Sequence, residues 1–123
     1  MKLFKICIAA LICFCAFYSH AAPSGTADFY LAEPSKYEGK KVKVFVQWGE
    51  RDATPTAPGY VLFKVYTKSG SIYMQVPEKK SKTFGNFLPK RDKDGNATGY
   101  KSYDGVLGII DRGGDKVYGL VVK

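Results

Sequence analysis

After residue 22 the chain contains no cysteine and no histidine; Cys7, Cys13, Cys15 and His20 are the only ones it has. The remainder therefore has no disulfide, no thiolate nucleophile and no imidazole base, and it lacks the imidazole and thiolate ligands that transition metals prefer. Long apolar runs are absent too. The longest, about 13 residues from Ile6 to Tyr18, falls short of the roughly 20 that a membrane-spanning helix needs. Acidic residues are few, 11 against 19 Lys and Arg, so the balance is strongly basic.

The reactive residues sit in a stretch that reads as an export leader. Lys2 and Lys5 form a charged start, Ile6 to Tyr18 an apolar centre, and Ser19-His20-Ala21-Ala22 a small-residue cleavage region. That three-part layout is a secretory signal peptide over residues 1–22, cut near Ala21 or Ala22. The expectation is a periplasmic or secreted protein with no stable membrane insertion after cleavage. Residues 23–123 then form one domain, with 17 basic residues against 11 acidic ones and a net charge of +6. An exported domain of this size without disulfides must hold itself by packing and paired strands.

Thr26 to Ala32 reads as a short helix, with Thr26 as N-cap and Asp28 in the first turn. Glu33-Pro34 ends it, and Gly39 supplies a turn. Lys41 to Trp48 alternates strictly, with Val42, Val44, Val46 and Trp48 on one face. Tyr60 to Thr67 and Ser71 to Val76 read as a hairpin about Ser69-Gly70. In that register Val65 faces Met74, Phe63 faces Val76, Tyr66 faces Tyr73 and Lys64 faces Gln75. Glu78 to Leu88 is a helix with Phe84, Phe87 and Leu88 at helical spacing. Tyr100 to Asp111 and Lys116 to Val122 are the last two strands, joined at Arg112-Gly113-Gly114-Asp115.

The order is three strands, a helix and two strands, behind a short N-terminal helix. It resembles the OB-fold, a five-stranded partly open barrel. The turn Pro34-Ser35-Lys36-Tyr37-Glu38-Gly39-Lys40-Lys41-Val42, feeding alternating valines, is similar to the opening of small exported bacterial OB-like proteins, as is the hairpin Tyr60 to Val76. The resemblance implies a binding surface on strands two and three and the adjoining loops; it implies no particular ligand.

One cluster of residues suits such a surface. Lys43, Phe45, Lys64, Tyr66, Tyr73 and Gln75 fall on the outer face of the first three strands, with Arg51, Arg91 and Lys93 on rimming loops. Aromatic rings that stack, beside cations that track phosphates, are how OB-folds hold single-stranded nucleic acid; acidic glycans suit the same surface. The competing reading covers this face with the N-terminal helix, through Tyr30, Leu31 and Tyr37. Asp92-Lys93-Asp94-Gly95-Asn96 matches the start of a calcium loop, but Ala97 and Tyr103 stand where its glycine and bidentate glutamate belong, so it reads as a polar turn. No carboxylate pair or nucleophile elbow stands out. The expectation is therefore a binding module without enzymatic activity, metal or cofactor. Its ligand is an anionic polymer, either nucleic acid or acidic polysaccharide; the alternative is a protein-binding envelope, stress or inhibitor module using the same face.

Overall fold

The computed structural model describes residues 24–123, so the leader reading of residues 1–22 lies outside the described residues. In chain order the elements are β1 (Ser24–Gly25), α1 (Ala27–Ala32), α2 (Pro34–Tyr37), β2 (Lys41–Val46), β3 (Trp48–Asp52), β4 (Tyr60–Tyr66), β5 (Ser71–Pro77), α3 (Glu78–Phe87), β6 (Lys101–Arg112) and β7 (Asp115–Val121). The described residues are mainly β, with three short helices among seven strands. No helix among the described residues is long and apolar enough to cross a membrane.

There are seven strands where five were expected. One extra is β1, which runs parallel to Lys43 and Val44 of β2. The other arises because the expected first strand divides at Gln47 into β2 and β3. The strands form one sheet in the order β1-β2-β6-β7-β5-β4-β3. β5 and β7 pair in parallel, and β2–β6, β6–β7, β4–β5 and β3–β4 pair antiparallel. Segment 41–52 thus pairs with β6 through its first half and with β4 through its second.

The core follows from alternation. Val42, Val44 and Val46 are fully buried, as are Val65, Met74, Val76, Leu107 and Leu120. Each fully buried aliphatic or Met side chain is worth roughly 1.5–3 kcal/mol over exposure, so this inner face dominates the stability of the domain. α3 adds Phe84, whose ring centroid lies 4.8 Å from Phe63 and 5.0 Å from Tyr103. Leu88 is buried, but Phe87 is 66% exposed, against the expected three-residue apolar stripe. The helix stops at Phe87, and Leu88 has extended backbone (φ −67°, ψ 130°), so helical spacing no longer decides where either side chain points.

The β4–β5 hairpin is shifted by two residues from the expected register. Phe63 pairs with Met74, Val65 with Ile72, Lys64 with Tyr73 and Tyr66 with Ser71. The turn is centred on Lys68-Ser69, closed by the Thr67 N–H donating to the Gly70 carbonyl at 2.9 Å. Gly70 follows at φ +81°, a conformation other residues rarely adopt, which makes this a two-residue turn with a glycine bulge. An even shift leaves every side chain on its face, so the buried and outer sets survive although the partners change.

α1 begins as expected, with Thr26 Oγ1 accepting the Phe29 N–H at 3.3 Å. It is moored to the hairpin turn: the Ala27 N–H donates to Thr67 Oγ1 at 3.0 Å and the Asp28 N–H to the Ser69 carbonyl at 3.1 Å. Tyr30 is fully buried and its hydroxyl donates to the Lys43 carbonyl at 2.8 Å. Burial pushes that phenol up to about 12, so it stays protonated. Leu31 and Tyr37 pack on the same core cluster. The N-terminal helix therefore completes the core with the three residues expected to cover the outer sheet face.

Candidate functional site

The site begins with a bulge. The Gln47 N–H donates to the Tyr66 carbonyl at 2.8 Å, while Trp48 is the register partner of Tyr66. Two residues on one strand thus oppose one on the other, which inverts the alternation of the bulged strand. Val46 is buried, yet Trp48, two residues on, leaves the inner face, and Gly49 takes its place there. The space at Gly49 is tight: a Cβ there would lie 2.8 Å from Leu88 Cδ2, 2.9 Å from Val65 Cγ1 and 3.0 Å from the Lys64 carbonyl oxygen. Only glycine lets β3 approach β4 and Leu88 this closely.

Turned outward, the Trp48 ring stacks flat on Tyr66, with centroids 3.9 Å apart and planes 5° from parallel. The Arg91 guanidinium carbon is 3.8 Å from the Trp48 centroid. A ring has two faces, and Tyr66 fills one, so Arg91 must occupy the other. Lys64 Nζ lies 5.5 Å from the Tyr66 centroid and 5.8 Å from that of Tyr73. The Arg112 guanidinium is 4.9 Å from Tyr73. Arg91, Trp48, Tyr66, Lys64, Tyr73 and Arg112 form a ladder across β3, β4 and β5 in which each cation meets at least one ring. Such contacts contribute about 0.5–1 kcal/mol each at exposed positions and hold the side chains in place.

Arg112 ends the ladder and is itself held. Its Nε donates to Asp52 Oδ2 at 2.9 Å, and Asp52 Oδ1 accepts from the Thr54 hydroxyl at 2.7 Å and the Thr54 N–H at 2.9 Å. Burial alone would raise the Asp52 carboxyl; the Thr54 hydrogen bonds and the Arg112 charge together outweigh it and keep the carboxyl below its ordinary value. The segment after β3 then folds back over the sheet. The Thr56 hydroxyl lies 2.9 Å from Gln75 Oε1 and 2.7 Å from the Asp111 carbonyl, which share its proton. The Gly113 N–H donates to the Pro55 carbonyl at 2.8 Å. One end of the outer face is closed by this loop, and the other, at Trp48, opens on a concavity of about 570 Å³ lined by Lys90, Arg91 and Lys93 and also by the carboxylates Glu50, Asp92 and Asp94.

Five of the nine residues expected at the site meet here: Lys64, Tyr66, Tyr73 and Arg91 in the ladder, and Lys93 in the concavity beside it. The other four do not. Lys43 and Phe45 belong to β2, whose neighbours are β1 and β6 rather than β4. Phe45, 39% exposed, meets Tyr100 edge-on at 6.1 Å. Gln75 is buried, only 8% exposed, because Thr56 covers it. Arg51 pairs in register with Phe63 and lies 6.0 Å from its ring, on the opposite face of β3 from Trp48. Sequence reasoning missed Trp48 and Arg112. A glycine just after Trp48 was a signal for the first, since glycine inside a strand often marks a bulge. Nothing local marks Arg112, which reaches Tyr73 from a distant strand.

The Asp92 loop is a polar turn in geometry. Asp92 Oδ1 accepts the backbone N–H groups of Asp94 and Asn96, both at 2.9 Å. Comparison with protein families, curated proteins and solved structures yields no match for this chain.

Proposed function

We propose that this is an exported, non-enzymatic binding module built on an OB-type barrel, and that the outer face of β3, β4 and β5 holds an anionic polymer, single-stranded nucleic acid or acidic glycan. The barrel reading is supported by the pairing sequence. β2 and β3 stand at opposite ends of the β2-β6-β7-β5-β4-β3 run, yet only Gln47 separates them in the chain, so one bent strand serves both ends. The export reading rests on the leader and on the absence of cysteine after it.

The observation that carries the ligand reading is the ladder: three cations, Arg91, Lys64 and Arg112, spaced by three aromatic rings on one side of the sheet. Cations held in register suit a chain of regularly spaced anions, and the remaining surplus of basic residues draws such a chain in. Trp48 is the only tryptophan, so any change in its emission arises at the site, while binding itself is read by calorimetry. The test is a titration of the protein with heparin and with a thymidine oligonucleotide at low and at raised salt. Saturable binding that weakens by tenfold or more as salt rises from about 50 to 200 mM is expected for a polyanion site. Indifference to both polymers at low salt would sink the reading and leave a protein-binding module.

A further inference from the structure

The ladder is already stacked, and that limits what it can read. Trp48 has Tyr66 at 3.9 Å on one face and the Arg91 guanidinium at 3.8 Å on the other. Tyr66 is stacked on Trp48 and has Lys64 Nζ 5.5 Å from its centroid, and Tyr73 has Lys64 at 5.8 Å and Arg112 at 4.9 Å. Single-stranded nucleic-acid binders draw affinity from bases laid on free ring faces. Here a base could reach Trp48 only by displacing Tyr66 or Arg91. What the face offers instead is the donors of its cations. Lys64 keeps an ammonium with three N–H groups, and neither it nor Arg91 has an ion-pair partner among the described residues, although Glu50 is the register partner of Lys64. Lys93 lines the concavity beside Arg91.

Resting on the polyanion reading above, we infer that the ladder contacts its polymer through anionic groups alone, and that Arg91 acts as a cover that keeps bases off Trp48. Of the two polymers, an acidic glycan then fits, since sulfates and carboxylates need only the cations. A nucleic acid is held only as a string of phosphates.

Three probes test this at low salt: heparin, a thymidine oligonucleotide, and an abasic deoxyribose-phosphate strand of the same length. The expected result is that the thymidine and abasic strands bind within about threefold of each other, leave Trp48 emission equally unchanged, and bind no more tightly than heparin of equal charge. Arg91→Ala uncovers Trp48. In that variant heparin binding weakens and its salt slope falls by about 0.7, while the thymidine strand gains at least about threefold over the abasic one and quenches Trp48. A wild-type preference of tenfold or more for thymidine over the abasic strand, with quenching, overturns the inference and leaves the polyanion reading standing as a nucleic-acid site. Failure of all three probes to bind the wild type overturns the polyanion reading itself. Arg91 is on an exposed loop, and Lys64→Ala serves as a second variant: it should weaken all three probes alike without quenching.

Discussion

The two halves of the segment Lys41–Asp52 obey opposite rules. In β2 the valines at positions 42, 44 and 46 point inward without exception. In β3 the phase is reversed: Trp48 faces out, and Gly49 and Arg51 take the inner side opposite Val65 and Phe63. Gln47 alone separates the two regimes. One additional residue against Tyr66 moved the largest side chain of the chain from the core to the outer face that carries the ladder. A regular strand would have buried Trp48 and left Tyr66 without a stacking partner. The contrast shows how a β-sheet that owes its stability to one face can build a site on the other without altering the hydrophobic pattern that folds it.

The largest effect should come from attacking the regular half. Val44→Asp places an unpaired charge in a fully buried position and should cost about 4 kcal/mol or more. For a domain of this size that lowers the melting temperature by more than about 15 °C, or abolishes folding outright. Circular-dichroism melts read it; a near-wild-type melt would mean that β2 does not form the core. Next comes the glycine that lets the bulged half pack. Gly49→Ala forces a Cβ against Leu88, Val65 and the Lys64 backbone, and should cost about 1–3 kcal/mol by overpacking. It should also disturb Trp48 emission, since β3 must move away from β4. A Gly49→Ala protein as stable as wild type, with unchanged emission, would contradict the bulge.

Trp48→Ala should be milder in stability and severe in function. The ring pair contributes about 0.5–1.5 kcal/mol beyond its buried area, so the melt should shift by only several degrees. Polyanion binding should fall about tenfold or more, because both Arg91 and Tyr66 lose their support. Destabilisation on the scale of Val44→Asp would place Trp48 in the core after all.

The smallest effect is a pH dependence at the far end of the ladder. The Asp52 carboxyl is held below its ordinary value, so it binds protons less readily folded than unfolded. Its contribution to stability is therefore full above the unfolded value, near 3.9, and is lost as pH falls through the lower folded value. Asp52→Asn should lower the melting temperature slightly at neutral pH, where that contribution is full, and flatten the acid limb, so that variant and wild type converge below about pH 4. An unchanged acid limb would show that the Thr54 and Arg112 contacts do not hold the carboxyl in solution.

Much of the fold was legible because it rests on local rules. The helix start at Thr26, the alternation of β2, the sequence of strands and the helix before β6 all follow from spacing, capping and turn chemistry within a few residues. The hairpin shows the limit of that reasoning. Its faces were right and its partners were wrong by two, because a turn on Lys68-Ser69 with Gly70 behind it and a turn on Ser69-Gly70 give the same alternation. Lys64, Tyr66 and Tyr73 were readable as an outer set for that reason, whatever the register.

The amino-acid sequence by itself determined which residues could be buried, since burial pattern and period are written along the chain. It also determined the chemistry available, which after residue 22 includes carboxylate, ammonium, guanidinium, hydroxyl, amide and aromatic groups but no thiol or imidazole. Only the tertiary structure decided which of those groups meet. Lys43 and Phe45 lie two and four residues from Lys41, yet the pairing of β2 with β6 carried them away from β4. Arg112 and Asp52, 60 residues apart, were brought to Tyr73 by the same pairings. The physical reason is that strand neighbours are set by backbone hydrogen bonds between distant segments, and no local pattern encodes them. The bulge at Gln47 belongs to the same class: it exists because Tyr66 supplies one carbonyl to a strand that bends there, and it alone places Trp48 between Tyr66 and Arg91.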